Sequence, residues 1–222
     1  LLLKKRMKKQ SSRWKRSNLE IVVCGDSFCS RDENAPGKHF SEQLEGTVTN
    51  LARGGISNSA IFMQLHKALA LDPDVIIYSV TDPARMTVPA KPNWNAQFSP
   101  DNPLANIRYD VNGPEPFVSH TIPCIMGEMD LGLDPAVIDA VKSYFNVLYD
   151  AMLQDFLDRE MFAGYKSRAE QQNIQVINLN NQVTEVYNEA RDLNDNPVPE
   201  VFHTTYPTQT LAAEKIMSII GT

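Results

Sequence analysis

The chain has 222 residues, 42% of them hydrophobic and 22% charged, with a formal net charge of −6. That suffices for one compact domain with a sizeable core, and no apolar run approaches the roughly 20 residues that span a bilayer. Eight of the 21 basic residues fall in residues 1–16, which hold no acid, so 13 remain against 27 acidic side chains in the rest. A body this acidic argues against nucleic acid as its partner.

Residues 1–16 read as a basic, disordered tail ahead of a single domain at 17–222. Two other readings stay open for them: an anchor for nucleic acid or an anionic surface, or sequence upstream of a start at Met7. Leu1–Leu3 is too short for a signal-peptide core, which needs about 7–15 apolar residues. The expected location is therefore cytoplasmic, with incorporation in a larger assembly left open. Cys24, Cys29 and Cys124 lack metal-ligand spacing, so neither metal nor cofactor is expected.

In chain order, Leu19–Val23 is a β-branched run and reads as the first strand. It stops abruptly in Gly25-Asp26-Ser27. His39–Leu44 reads as a short helix, and Thr47–Leu51 alternates like a strand. Ser57-Asn58 can cap a helix over 58–70, where Ile61, Phe62, Leu65 and Leu69 form a stripe. Asp72-Pro73 breaks it, and Val75–Val80 reads as a buried parallel strand.

Residues 83–135 change character, being rich in Pro and Asn with little periodicity, and read as an insertion. Its aromatics Trp94, Phe98, Tyr109 and Phe117 suit either loop anchoring or stacking on sugars. Residues 135–172 predict a long helix opened by Asp134-Pro135, with Gly164 as a candidate break and the 137–152 stripe as core. Ile174–Leu179 reads as the next strand, 183–190 as a short helix, and Leu211–Ile220 as the closing helix. Alternating strands and helices predict a parallel sheet with helices on both faces.

A serine hydroxyl at the C-terminal edge of such a sheet is a helix cap or a nucleophile. As a nucleophile it needs a neutral imidazole within reach and an acid that orients it. His203 and Glu200, three residues before it, fit these two roles just before the last helix. Taken singly, Glu200 also fits a solvated loop acid, and Thr81 a strand-end residue capping its turn. His39, His66 and His120 read as structural or exposed.

Four segments now stand in order: Gly25-Asp26-Ser27, Asn50 to Asn58 with Gly54-Gly55, Ser79-Val80-Thr81-Asp82, and Glu200-Val201-Phe202-His203. Together they resemble the SGNH/GDSL hydrolase family of serine esterases and lipases, over about residues 19–220 apart from the 83–135 insertion. The resemblance implies a three-layer, flavodoxin-like α/β fold with a central parallel sheet. It implies Ser27 as nucleophile, His203 as base and Glu200 as the orienting acid, with Asp195 as a second candidate acid. The oxyanion hole would comprise the backbone N–H groups of Ser27 and Gly55 and the side chain of Thr81.

The chain departs from the family pattern twice. Thr81 stands where the family's Gly-x-Asn-Asp block has its Asn donor, and Glu200 stands for an Asp. Asn58 is a candidate substitute donor, and Asn58, Asp82 and Arg85 are candidate substrate contacts, Arg85 for an anionic group. The expected activity is hydrolysis of carboxylic esters through an acyl-Ser27 intermediate, with O-acetyl groups of carbohydrates as the preferred substrate. The competing expectation is a non-catalytic glycan-binding or structural module on a hydrolase fold. Oligomeric state is left open. A nucleotide-binding reading lacks a Gly-x-Gly-x-x-Gly or P-loop signature.

Overall fold

The computed structural model describes residues 18–32, 34–54, 56–89, 117–121, 135–184 and 205–221. The basic tail at 1–16 lies outside them. Strands β1 (Glu20–Cys24), β2 (Thr47–Asn50), β3 (Val75–Tyr78) and β6 (Gln175–Asn178) form one parallel sheet in the order β2-β1-β3-β6. This is the flavodoxin-like order. Helices cover both faces, so the expected three-layer α/β arrangement is the one observed.

The layers follow from the period of a strand, which sends alternate side chains to opposite faces. Val22, Cys24, Ile76 and Tyr78 face helices α2 (Asn58–Ala70) and α4 (Ala151–Gln171), meeting Leu65, Phe162 and Tyr165. Ile21, Val23, Val75 and Ile77 face α1 (Phe40–Gln43) and α6 (Tyr206–Ile220), meeting Phe40, Ala212 and Ile216. β3 is buried at every position, which is why it reads as an unbroken apolar run. No helix of the described residues is long and apolar enough to cross a membrane.

Several elements differ from expectation. The helix expected over 135–172 is two, α3 (Pro135–Val147) and α4. Asp150 interrupts it: its carboxylate accepts from the N–H groups of Met152 and Leu153 and starts a new helix. The 137–152 stripe crosses this break and does not stay on one face. Val141 is buried, while Leu148 and Met152 are 72% and 84% exposed. Gly164 sits within α4 and breaks nothing. The closing helix starts at Tyr206, five residues early, with Pro207 in its first turn. Inside the expected insertion, β4 (Arg85–Pro89) and β5 (Phe117–Thr121) pair antiparallel. The helix expected at 183–190 lies almost wholly outside the described residues, and α5 (Leu179–Gln182) precedes it.

His39 caps α1 and is 1% exposed. Its Nδ1 accepts from the Ser41 N–H at 3.2 Å, and its Nε2 faces the Phe28 carbonyl at 3.1 Å. These partners select the neutral Nε2–H tautomer. Burial lowers its pKa to about 4, against the opposing pull of the Phe28 carbonyl. Because the folded value is depressed, the stabilisation is complete above the unfolded value near 6.5 and is lost as pH falls toward 4. A loss of about 3 kcal/mol is expected over that window. Urea melts from pH 7.5 to 4 check this, since His39→Gln should lack that share of the decline; equal slopes in both proteins would refute it.

Candidate active site

The strand order reverses at β1, with β2 on one side and β3 on the other. The crevice beyond the C-terminal ends of β1 and β3 is therefore the place for a ligand. Ser27 and Thr81 both lie just past those ends. β1 terminates at Gly25, whose φ of +138° only glycine adopts freely. The Gly25 N–H donates to Gln64 Oε1 of α2 at 2.7 Å.

Asp26 is 1% exposed and holds the turn together. Its Oδ1 accepts from the Phe28 N–H at 3.1 Å and from the Ser79 hydroxyl at 3.3 Å. Its carbonyl accepts from the N–H groups of Cys29 and Ser30, each at 3.0 Å. Ser27 is thereby carried on a braced turn and is itself buried. The second block comes alongside, because a Cβ placed on Gly54 would lie 3.6 Å from Ser27 Cβ. Gly55, His203, Glu200 and Asp195 lie outside the described residues.

Arg85 Nη1 pairs with Asp26 Oδ2 at 3.1 Å and donates to the Ile56 carbonyl at 3.2 Å. That nitrogen holds the Gly25-Asp26-Ser27 turn, a role the sequence reading did not assign to it. Removing one partner of a buried pair strands the other charge. Arg85→Met is expected to lower stability by about 3 kcal/mol, the lower end of that range, because Asp26 keeps two other donors. Urea denaturation measures it, and a loss under ~0.5 kcal/mol would place the pair among merely exposed ones.

Asp82 is exposed and shapes a turn, with its Oδ1 accepting from the Ala84 N–H at 2.8 Å. Asn58 is buried and already engaged. Its Oδ1 accepts from the Thr81 N–H at 2.8 Å, and its Nδ2 donates to the Thr81 carbonyl at 3.1 Å and to Asp158 Oδ2 at 2.6 Å. Both amide hydrogens are thus in use, which leaves Asn58 a support for Thr81 rather than a spare oxyanion donor. Asn180 grips the preceding residue in the same way. The Val80 N–H donates to its Oδ1 at 2.7 Å, and its Nδ2 donates to the Val80 carbonyl at 3.2 Å. Among the described residues the Thr81 hydroxyl has no hydrogen-bond partner.

Two cavities meet at this segment. One of ≈460 Å³ is lined by Asp26, Phe28, Thr81, Asp82, Arg85 and Asn180 among others. The other, of ≈400 Å³, is bordered by Asn58, Tyr78, Thr81, Asp158, Phe162 and Lys166 among others. Thr81 belongs to both walls.

Neither buried cysteine suits nucleophilic chemistry. Burial pushes the Cys29 thiol up to about 12, with the Ser79 hydroxyl pulling the other way, and burial raises Cys24 as well. Cys29 instead donates to Ser79 Oγ at 3.2 Å, extending the network from Asp26. Sequence reasoning missed Gln64, Asn180 and Asp158. Each reaches a partner 39 or 100 positions away, a contact that no local pattern marks.

In three dimensions the chain is similar to a lipolytic protein of the G-D-S-L family from Desulfitobacterium hafniense DCB-2, at 14% identity and a TM-score of 0.37, over 91% of this chain and 99% of that one. It is also similar to an acetyl xylan esterase, AlAXEase, at 11% identity and a TM-score of 0.39, over 90% and 98% of the two chains. No protein-family model and no curated protein matches it.

Proposed function

We propose that the chain is a serine hydrolase of carboxylic esters with Ser27 as its nucleophile. The observation that carries this reading is the turn at 25–27. A buried serine follows a left-handed glycine at the C-terminal edge of the sheet, and the adjoining Asp26 is locked by Arg85 and Ser79. The Thr81 hydroxyl, on the wall of the neighbouring cavity, supplies a donor with no competing bond among the described residues.

In this reading His203 takes the Ser27 proton as Ser27 Oγ bonds to the ester carbonyl carbon. The N–H groups of Ser27 and Gly55 and the Thr81 hydroxyl hold the oxyanion. The C–O bond to the alcohol breaks, and His203 returns its proton to the leaving oxygen. Water then attacks the acyl-Ser27, giving a proton to His203, and the acid departs as Ser27 recovers that proton. Glu200 orients the imidazole and stabilises its cation. Residues 17–222 are one hydrolase domain and 83–135 its insertion. Small acyl esters, with O-acetyl groups of carbohydrates preferred, are the proposed substrates, on the strength of the four-block resemblance and the aromatic residues of the insertion.

Fluorophosphonate labelling read by peptide mapping tests the reading. One phosphonyl group on Ser27 is the expected result. A folded protein that stays unlabelled would favour the non-catalytic glycan-binding or structural module instead.

A further inference from the structure

The Val80-Thr81 segment runs on past the end of β3, where no strand of the described residues pairs with it. Two side-chain amides take the place of those strands. Each presents one acceptor and one donor to the N–H and C=O of a single residue, as a peptide edge does: Asn180 for Val80, Asn58 for Thr81. The Thr81 N–H is consumed by this pairing, so the hydroxyl is the donor that Thr81 has left for a substrate.

The orientation of the Asn58 amide has its own cause. Asp158 on α4 is 6% exposed, and its Oδ2 accepts from Asn58 Nδ2 at 2.6 Å. Its Oδ1 accepts from Gln154 Nε2 at 2.8 Å, which holds the carboxylate in place. A buried acceptor there fixes which end of the amide is nitrogen, and so fixes the match to Thr81.

We propose that Asp158 is a positioning residue of the ester-hydrolysing site, acting through Asn58 to aim the Thr81 hydroxyl at the oxyanion. This rests on the serine-hydrolase reading. Donor placement matters because an ångström of displacement at a reacting centre costs up to ~10²-fold in rate.

The test compares p-nitrophenyl acetate kinetics of Asp158→Ala and Asp158→Asn, each alone and with Thr81→Val, after titrating active sites with fluorophosphonate. Asp158→Ala should lower kcat about tenfold at constant KM. Asp158→Asn keeps an oxygen for Asn58 and should stay within about threefold of the parent. With Thr81→Val present, Asp158→Ala should add less than about twofold, because its route of action is gone. Hydrogen exchange over 79–84 should quicken in Asp158→Ala and not in Asp158→Asn. An unchanged kcat in Asp158→Ala, or an equal fall with and without Thr81→Val, overturns the proposal. Failure of the underlying reading looks different: the parent protein itself then shows neither Ser27 labelling nor turnover, and the enzymatic role falls with it.

Discussion

Ser27→Ala is expected to lower kcat for p-nitrophenyl acetate by at least about 10⁴-fold while leaving the urea midpoint close to that of the parent. The substitution removes one hydroxyl from a turn that Asp26 holds by other atoms. The turn keeps those bonds in the variant, and the proposed chemistry loses its nucleophile. Cys29 is the closest alternative in sequence, and burial keeps its thiol protonated. His203→Ala should cost nearly as much, and the double variant little more than either single one, because nucleophile and base act as one unit. Turnover that survives in Ser27→Ala would move the nucleophile elsewhere and sink the proposed mechanism.

Gly25→Ala is expected to cost about 4 kcal/mol of stability and to remove activity with it. Two effects add. The residue sits at φ +138°, and a side chain held there is strained by roughly 1–3 kcal/mol. A Cβ at this point would also stand 2.3 Å from Ser79 Oγ and 2.9 Å from Cys29 Sγ. Those atoms belong to the buried Asp26–Ser79–Cys29 network and can retreat only by breaking its hydrogen bonds. Overpacking of this kind adds about 1–3 kcal/mol. Gly37→Ala is the internal control, with a φ of +76° and nothing within 4 Å of the added methyl. It should show the strain without the collision, so its urea midpoint should fall much less. Equal losses at the two positions would remove the packing argument for the glycine of the Gly-Asp-Ser turn.

The same turn shows where sequence and structure divide the account. Gly25, Asp26 and Ser27 stand together after an apolar run, so their place at a strand end is legible locally. What Asp26 does there is not. Its partners Ser79 and Arg85 are 53 and 59 residues away, and they meet it because β3 pairs with β1. Arg85 reads in the sequence as a cation available to a substrate, and it is found with Nη1 on the Asp26 carboxylate. Asn58 reads as a spare donor, and it is found with both hydrogens committed.

Local patterning alone determined the strands of the sheet, helix α2 with its Ser57 cap, and the parallel α/β class. These follow from backbone periodicity and from the fixed geometry of caps and turns, which act over a few residues. The tertiary structure decided the antiparallel pairing of β4 with β5 and the paired amides that grip Val80 and Thr81. Each joins groups far apart in the chain, 23 residues for Asn58 and Thr81 and 100 for Asn180 and Val80. That depends on distances set by the packed sheet and helices, and a linear sequence does not encode them in any short pattern.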